Sequence, residues 1–173
     1  DRKYLLGVFG SLLSNLEGRK TYLIGGTNGK GEVSYNIEYL LSMERSSVGL
    51  FTSPHLSCVS ERFRFNSINA SVESVSLALD EFESLHPGNN VNLSYFELCF
   101  WVFLFLSIKK KVKHIILEVG LGGRLDITNI CNTNVSVITN ISRDHIDVLG
   151  NSYRKILFEK LGITRENVPI VTG

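Results

Sequence analysis

Residues 25–31 read Gly-Gly-Thr-Asn-Gly-Lys-Gly, between a short apolar run and a segment of helical periodicity. Small residues let a backbone fold tightly, so that several N–H groups face one anion. The helix start behind them adds partial positive charge, and Lys30 adds a full one. A strand, a glycine-rich loop and a helix in that order suit a triphosphate. A plain turn with a surface lysine accounts for the composition but not for that context. Gly26, Thr27, Asn28, Gly29, Lys30 and Gly31 are therefore the candidate nucleotide-binding residues.

The rest of the chain alternates strand-like and helix-like segments. Residues 21–25 form the apolar run, and Val33, Ile37, Leu40 and Leu41 recur at helical spacing over 32–43. Residues 48–51 read as a strand, and 62–65 (RFRF) as an edge strand or one arm of a ribbon. Ser71 caps a helix whose Val72, Val75, Leu79 and Phe82 share one face, and 86–90 close it as a turn. Residues 94–108 are apolar all round, which predicts a largely buried helix. Strands follow at 114–118 and 135–139, then a helix at 153–161 and a last strand at 168–171. This order predicts an α/β fold, a mostly parallel sheet with helices on both faces. The 173 residues suffice for one such domain and scarcely for two.

A net charge of +1 excludes bulk attraction to nucleic acid or to an anionic membrane. The apolar run 98–106 is far shorter than the ~20 residues of a membrane helix, and no signal peptide is expected. The basic run 109–113 reads as a solvated turn. Cys58, Cys99 and Cys131 are scattered and form no CxxC pair, which fits buried free thiols in a reducing cytoplasm. The chain opens on Asp1 and stops just after a strand-like run, so it reads as a piece of something longer.

Two further polar clusters follow strands. Residues 118–126 (EVGLGGRLD) place Glu118 at the carboxyl end of a buried strand, the edge where open α/β sheets bind ligands. A hard carboxylate there suits Mg²⁺, although a capping or ion-paired glutamate is the alternative. Residues 139–145 (TNISRDH) end on His145. All three loops follow strands expected to lie side by side, so their tips should converge.

Seven segments together resemble the folylpolyglutamate synthase/dihydrofolate synthase family, relatives of the Mur cell-wall ligases. They are GTNGKG (26–31), LFTSPHL (50–56), ERFRFN (61–66), SYFE (94–97), LEVGLGGRLDITN (117–129), DHIDVLG (144–150) and EKLGI (159–163). GTNGKG alone also admits the Mur ligases; TSPHL with EVGLGGRLD is more specific to the folate branch. The resemblance implies a P-loop NTPase-like sheet, the Mur ligase central domain. Residues 1–173 would be a partial N-terminal ATP-binding domain, with a C-terminal glutamate-ligase domain absent from this chain. The implied activity is a Mg-ATP ligase that adds L-glutamate to a folate or dihydropteroate carboxylate through an acyl phosphate. By position, Lys30 would hold the β- and γ-phosphates, and Ser53 and Glu118 the Mg²⁺ on ATP. His145 would bind a second Mg²⁺, and Lys160 would carry a carbamate. Tyr95 and Phe96 would offer a stacking surface to the pterin. Neither nucleic acid nor a membrane is an expected partner, and the full-length form is expected to be a cytoplasmic monomer.

One departure stands out: the family has serine after GTNGKG, and this chain has Glu32. A carboxylate facing the phosphates would weaken nucleotide binding; turned outward, it would favour the helix N-terminus. By itself the chain is expected to bind nucleotide weakly and ligate nothing. The other readings are a catalytically inactive nucleotide-binding remnant and a Mur-type cell-wall ligase.

Overall fold

The structure, a computed structural model, describes residues 2–89, 91–143, 147 and 152–173. Helix α1 (Arg2–Asn15) leads into β1 (Lys20–Gly25), α2 (Lys30–Met43) and β2 (Val48–Phe51). A short ribbon, β3 (Phe63–Phe65) and β4 (Ile68–Asn69), precedes α3 (Val72–Leu85) and α4 (Tyr95–Lys109). Then come β5 (His114–Glu118), β6 (Val135–Ile138), α5 (Tyr153–Leu161) and β7 (Ile170–Thr172). The sheet order is β4-β3-β2-β5-β1-β6-β7. Five strands run parallel, and β3 and β4 extend one edge as an antiparallel ribbon. RFRF is thus a ribbon arm, with β4 outside it.

Helices cover both faces, as the alternation predicted. On one face α1 and α3 pack against α4, whose Phe100, Trp101, Val102, Phe103 and Leu104 are buried. Phe51 of β2 sits among Phe63, Phe96, Phe100 and Phe103, at centroid distances of 5.3–6.2 Å. On the other face Ile24, Val48, Leu50, Ile116 and Val137 meet Val33, Ile37 and Leu41 of α2. Strand side chains alternate between faces, so in β5 Ile115 and Leu117 join the α4 side and Ile116 the α2 side. Glu118, two residues after Ile116, is therefore aimed at the face where α2 begins.

Several boundaries differ from the sequence reading. Leu40 is exposed on α2, because the hidden positions of that helix are Ser34 and Glu38. The Glu38 carboxylate accepts hydrogen bonds from Arg64 Nε (3.1 Å) and Ser67 N–H (2.9 Å), which fastens the ribbon to the helix. Ser71 does cap α3 by accepting the Ser74 N–H, but Val72 is exposed and Ala78 takes its place inside. The last strand starts two residues late, since Pro169 serves only as an acceptor for Ser136 N–H before pairing begins. Cys99 and Cys131 are buried free thiols, whereas Cys58 is exposed. Among the described residues no helix is long and apolar enough to cross a membrane.

Candidate nucleotide site

Because β1, β2, β5 and β6 are parallel neighbours, their carboxyl ends share one rim. At the end of β1 the chain turns through Gly26 (φ 143°) and Gly29 (φ 77°) into α2. The turn lies hard against the end of β6: a β-carbon on Gly26 would sit 1.9 Å from Thr139 Oγ1. Thr27 N–H donates to Asn140 O and Asn28 N–H to Asn140 Oδ1, both at 3.0 Å. Thr139 Oγ1 donates to Asn28 O (2.6 Å), and Ser142 N–H to Thr27 Oγ1 (3.0 Å). The Thr27 and Asn28 amides are thus engaged within the protein rather than turned to an anion. Val33 N–H closes the first helical bond to Gly29 O, so the orphan amides of α2 belong to the residues just before Val33. Lys30 Nζ folds over the loop to Thr27 O, 3.2 Å away.

Glu118 reaches the same place from β5. A β-carbon at Gly31 would lie 3.6 Å from its Oε1 and 3.7 Å from its Oε2, ordinary contact distances. Oε2 accepts the Ser53 N–H at 3.0 Å, which brings the loop after β2 to the carboxylate. The Ser53–Pro54 peptide is cis. From α5, the buried Lys160 ammonium donates to Gly26 O at 2.6 Å. Lys30, Ser53, Glu118 and Lys160 therefore meet around the glycine loop. His145 lies outside the described residues.

Glu118 is 5% exposed, and its desolvation pushes the carboxyl above the ordinary glutamate range. The Ser53 amide and the charges of Lys30 and Arg62 pull it part of the way back. A raised acid binds its proton more readily folded than unfolded, so stability falls as pH rises from the ordinary glutamate range through the raised value. Glu118→Gln is expected to increase the melting temperature at pH 7 by a few degrees and to flatten that slope. A lower melting temperature would show instead that the cationic neighbours outweigh the desolvation.

Residues 24–170 match the Mur ligase middle domain. The dihydrofolate synthase/folylpolyglutamate synthase of Haemophilus influenzae is 41% identical over 150 residues, covering 87% of this chain and 34% of that enzyme. Escherichia coli FolC, solved in complex with DHPP and ADP, superposes with a TM-score of 0.90 at 34% identity, over 97% of this chain and 40% of FolC. A bifunctional folylpolyglutamate synthase/dihydrofolate synthase with Mn, AMPPNP and L-glutamate bound gives 0.89 at 36%, over 98% and 41%. The chain belongs to the Mur ligase family, in its folylpolyglutamate synthase/dihydrofolate synthase branch. It spans about a third of the length of the curated relatives it matches.

Against that family background, three residues at the rim went unassigned in the sequence. Arg62, only 9% exposed, donates from Nε to His55 Nδ1 (2.9 Å) and lies over the rings of Tyr95 and Phe96 at 5.6 and 5.9 Å. As part of RFRF it read as one charge of an alternating strand. Asp126 Oδ2 accepts the N–H groups of Gly120 and Leu121, while Oδ1 accepts Thr128 N–H and Oγ1. It folds the family's GLGGRLD loop back on itself. Asn140 is the third. Its signal was available, since it directly follows a strand whose end was expected beside the glycine loop.

Proposed function

We propose that this chain is the nucleotide-binding part of an ATP-dependent ligase that joins L-glutamate to a folate or dihydropteroate carboxylate. The observation that carries this reading is the buried Glu118 carboxylate held against Gly31 of the glycine loop. Such a carboxylate serves no packing purpose, and it suits a hard cation shared with phosphates. The names of the relatives and the ligands in the matching structures support the same reading.

In this scheme the folate carboxylate takes the γ-phosphoryl group of ATP, ADP leaves, and the glutamate amine displaces phosphate from the acyl phosphate to form the amide. Lys30 unfolds from Thr27 O to neutralise the β- and γ-phosphates. Ser53 and Glu118 would hold one Mg²⁺, which when bound would supply positive charge to the phosphoryl oxygens. Their donor set fits: Glu118 is desolvated, and among the described residues its Oε1 accepts no hydrogen bond. His145 is assigned to a second Mg²⁺ on the resemblance alone. Lys160 as a carbamate would retain one N–H for Gly26 O while gaining an anionic head. Tyr95, 58% exposed, offers a pterin the part of its ring that Arg62 leaves open, whereas Phe96 lies under the same guanidinium and is half-buried.

Calorimetric titration of the chain with ADP tests this reading. Binding is expected to require Mg²⁺ and to be lost on chelation, and no amide is expected from the chain alone with dihydropteroate, ATP and glutamate. Affinity indifferent to Mg²⁺ would contradict the roles given to Glu118 and Ser53. Stimulation of ADP release by UDP-linked muramyl substrates instead of pteroates would move the chain to the cell-wall branch.

Glu32 motivates the inactive-remnant reading, and its side chain is exposed in the first turn of α2. In water two charges ~4 Å apart interact by about 1 kcal/mol, roughly a five-fold effect. Glu32→Ser is therefore expected to tighten Mg-ADP binding by about five-fold. A gain of ~10³-fold would show the carboxylate turned into the phosphate site, and would favour the remnant.

A further inference from the structure

We propose that Asn140 is a positioning residue that divides the glycine loop into a fixed half and an anion-binding half. This inference rests on the nucleotide reading given above. Asn140 takes both amides of the fixed half, Thr27 N–H on its carbonyl and Asn28 N–H on its side-chain Oδ1, each at 3.0 Å. Thr139 Oγ1 secures Asn28 O at 2.6 Å, and Thr27 Oγ1 exchanges hydrogen bonds with Ser142 N–H and O at 3.0 and 3.2 Å. Segment 139–142 thereby forms a backrest along the two residues that precede Gly29.

The chemistry of the loop follows from this division. An amide already donating to a carbonyl gains less by turning to a phosphate than an unpaired amide does, because it must first give up that partner. The amides at the start of α2 have no such helical partner and sit at the positive end of the helix. Anions are thus taken by the stretch 29–32, while Asn140 fixes the angle at which that stretch meets them. Oriented donors cost no reorganisation when the ligand arrives.

The Asn140 side chain is exposed, so its substitution tests position without opening the core. Backbone amide exchange and chemical shifts of the whole chain, followed by NMR, read both halves separately. In the unsubstituted protein, Mg-ADP and inorganic pyrophosphate are expected to shift Gly29, Lys30, Gly31 and Glu32, while Thr27 and Asn28 stay protected. Asn140→Ala is expected to speed exchange at Asn28 at least ten-fold and to weaken Mg-ADP binding about ten-fold, with the affinity for adenosine unchanged. Asn140→Asp keeps an acceptor oxygen and is expected to restore the protection of Asn28. Equal loss for adenosine and ADP, unchanged exchange at Asn28, or failure of the aspartate to restore protection would each overturn the role of Asn140. An unsubstituted chain whose resonances respond to neither ligand would instead sink the nucleotide reading itself, a result obtained before any variant is made.

Discussion

Lys30→Met is expected to weaken Mg-ADP binding by about three orders of magnitude while leaving the fold intact. The methionine keeps the length and packing of the stem and removes only the charge. A unit charge ~4 Å from a phosphate contributes about 4 kcal/mol at an effective dielectric near 20, which converts to the expected ~10³-fold loss. The fold should not register the change, because the lysine is half-buried at the rim and donates its hydrogen bond to Thr27 O within its own loop. Calorimetry gives the affinity, and thermal denaturation checks that the melting temperature stays within a degree or two. A loss of less than ten-fold would mean that the helix start and the metal hold the phosphates without Lys30, and its assigned role would fall.

Gly162→Ala is expected to destabilise the protein by about 3 kcal/mol, the upper part of the range for overpacking. Gly162 follows α5 with an ordinary helical φ of −60°, so backbone strain is not the issue. Space is: a β-carbon there would lie 2.2 Å from Arg124 Cβ and 2.6 Å from Arg124 Cα. Both atoms are tied to the Arg124 backbone, which is itself fastened, since Arg124 N–H donates to Glu159 O (2.8 Å) and Asn129 Nδ2 bridges Arg124 O and Gly162 O at 3.1 and 3.0 Å. The exposed side of the seam adds an Arg124–Glu159 ion pair at 2.8 Å. The methyl group must therefore pry α5 from the loop, taking Lys160 away from Gly26. For a chain of this length the melting temperature should fall by about 6–12 °C. The same substitution at Gly7, inside α1 with no atom within 4 Å of the added carbon, should be neutral or stabilising by up to about 1 kcal/mol. Equal effects at both positions would remove the packing argument.

The parallel sheet and the converging loops were legible because they depend on local signals: apolar runs of strand length, glycine punctuation and polar residues just past each strand. Glu118 was legible for the same reason, and the alternation of β5 explains why it points to α2. Helix faces were harder. Leu40 looked like a core residue and is exposed, because Glu38 occupies the covered position and finds Arg64 and Ser67 from a ribbon far along the chain. A buried carboxylate satisfied by a distant partner leaves no trace in periodicity. Arg62 and Asn140 escaped for a related reason. Their contacts, with His55, Tyr95 and Phe96 in one case and with Thr27 and Asn28 in the other, form only after the sheet assembles. For the glycine loop the sequence predicts a tight turn between strand and helix but not the use of its amides, since composition does not say which N–H groups are already taken.

The order of strands also bears on how the protein comes into being. Lys20 in β1 pairs with His114 in β5, and Tyr22 with Val135 in β6, so both partners of the first strand are made long after it. A growing chain on the ribosome would hold its glycine loop with neither flank in place until most of the sequence has emerged. Such distant pairings are slow to form and leave sticky strand edges waiting. Capture of ADP by a nascent chain would consequently report completion of the sheet, and a stalled chain ending before β6 should retain none.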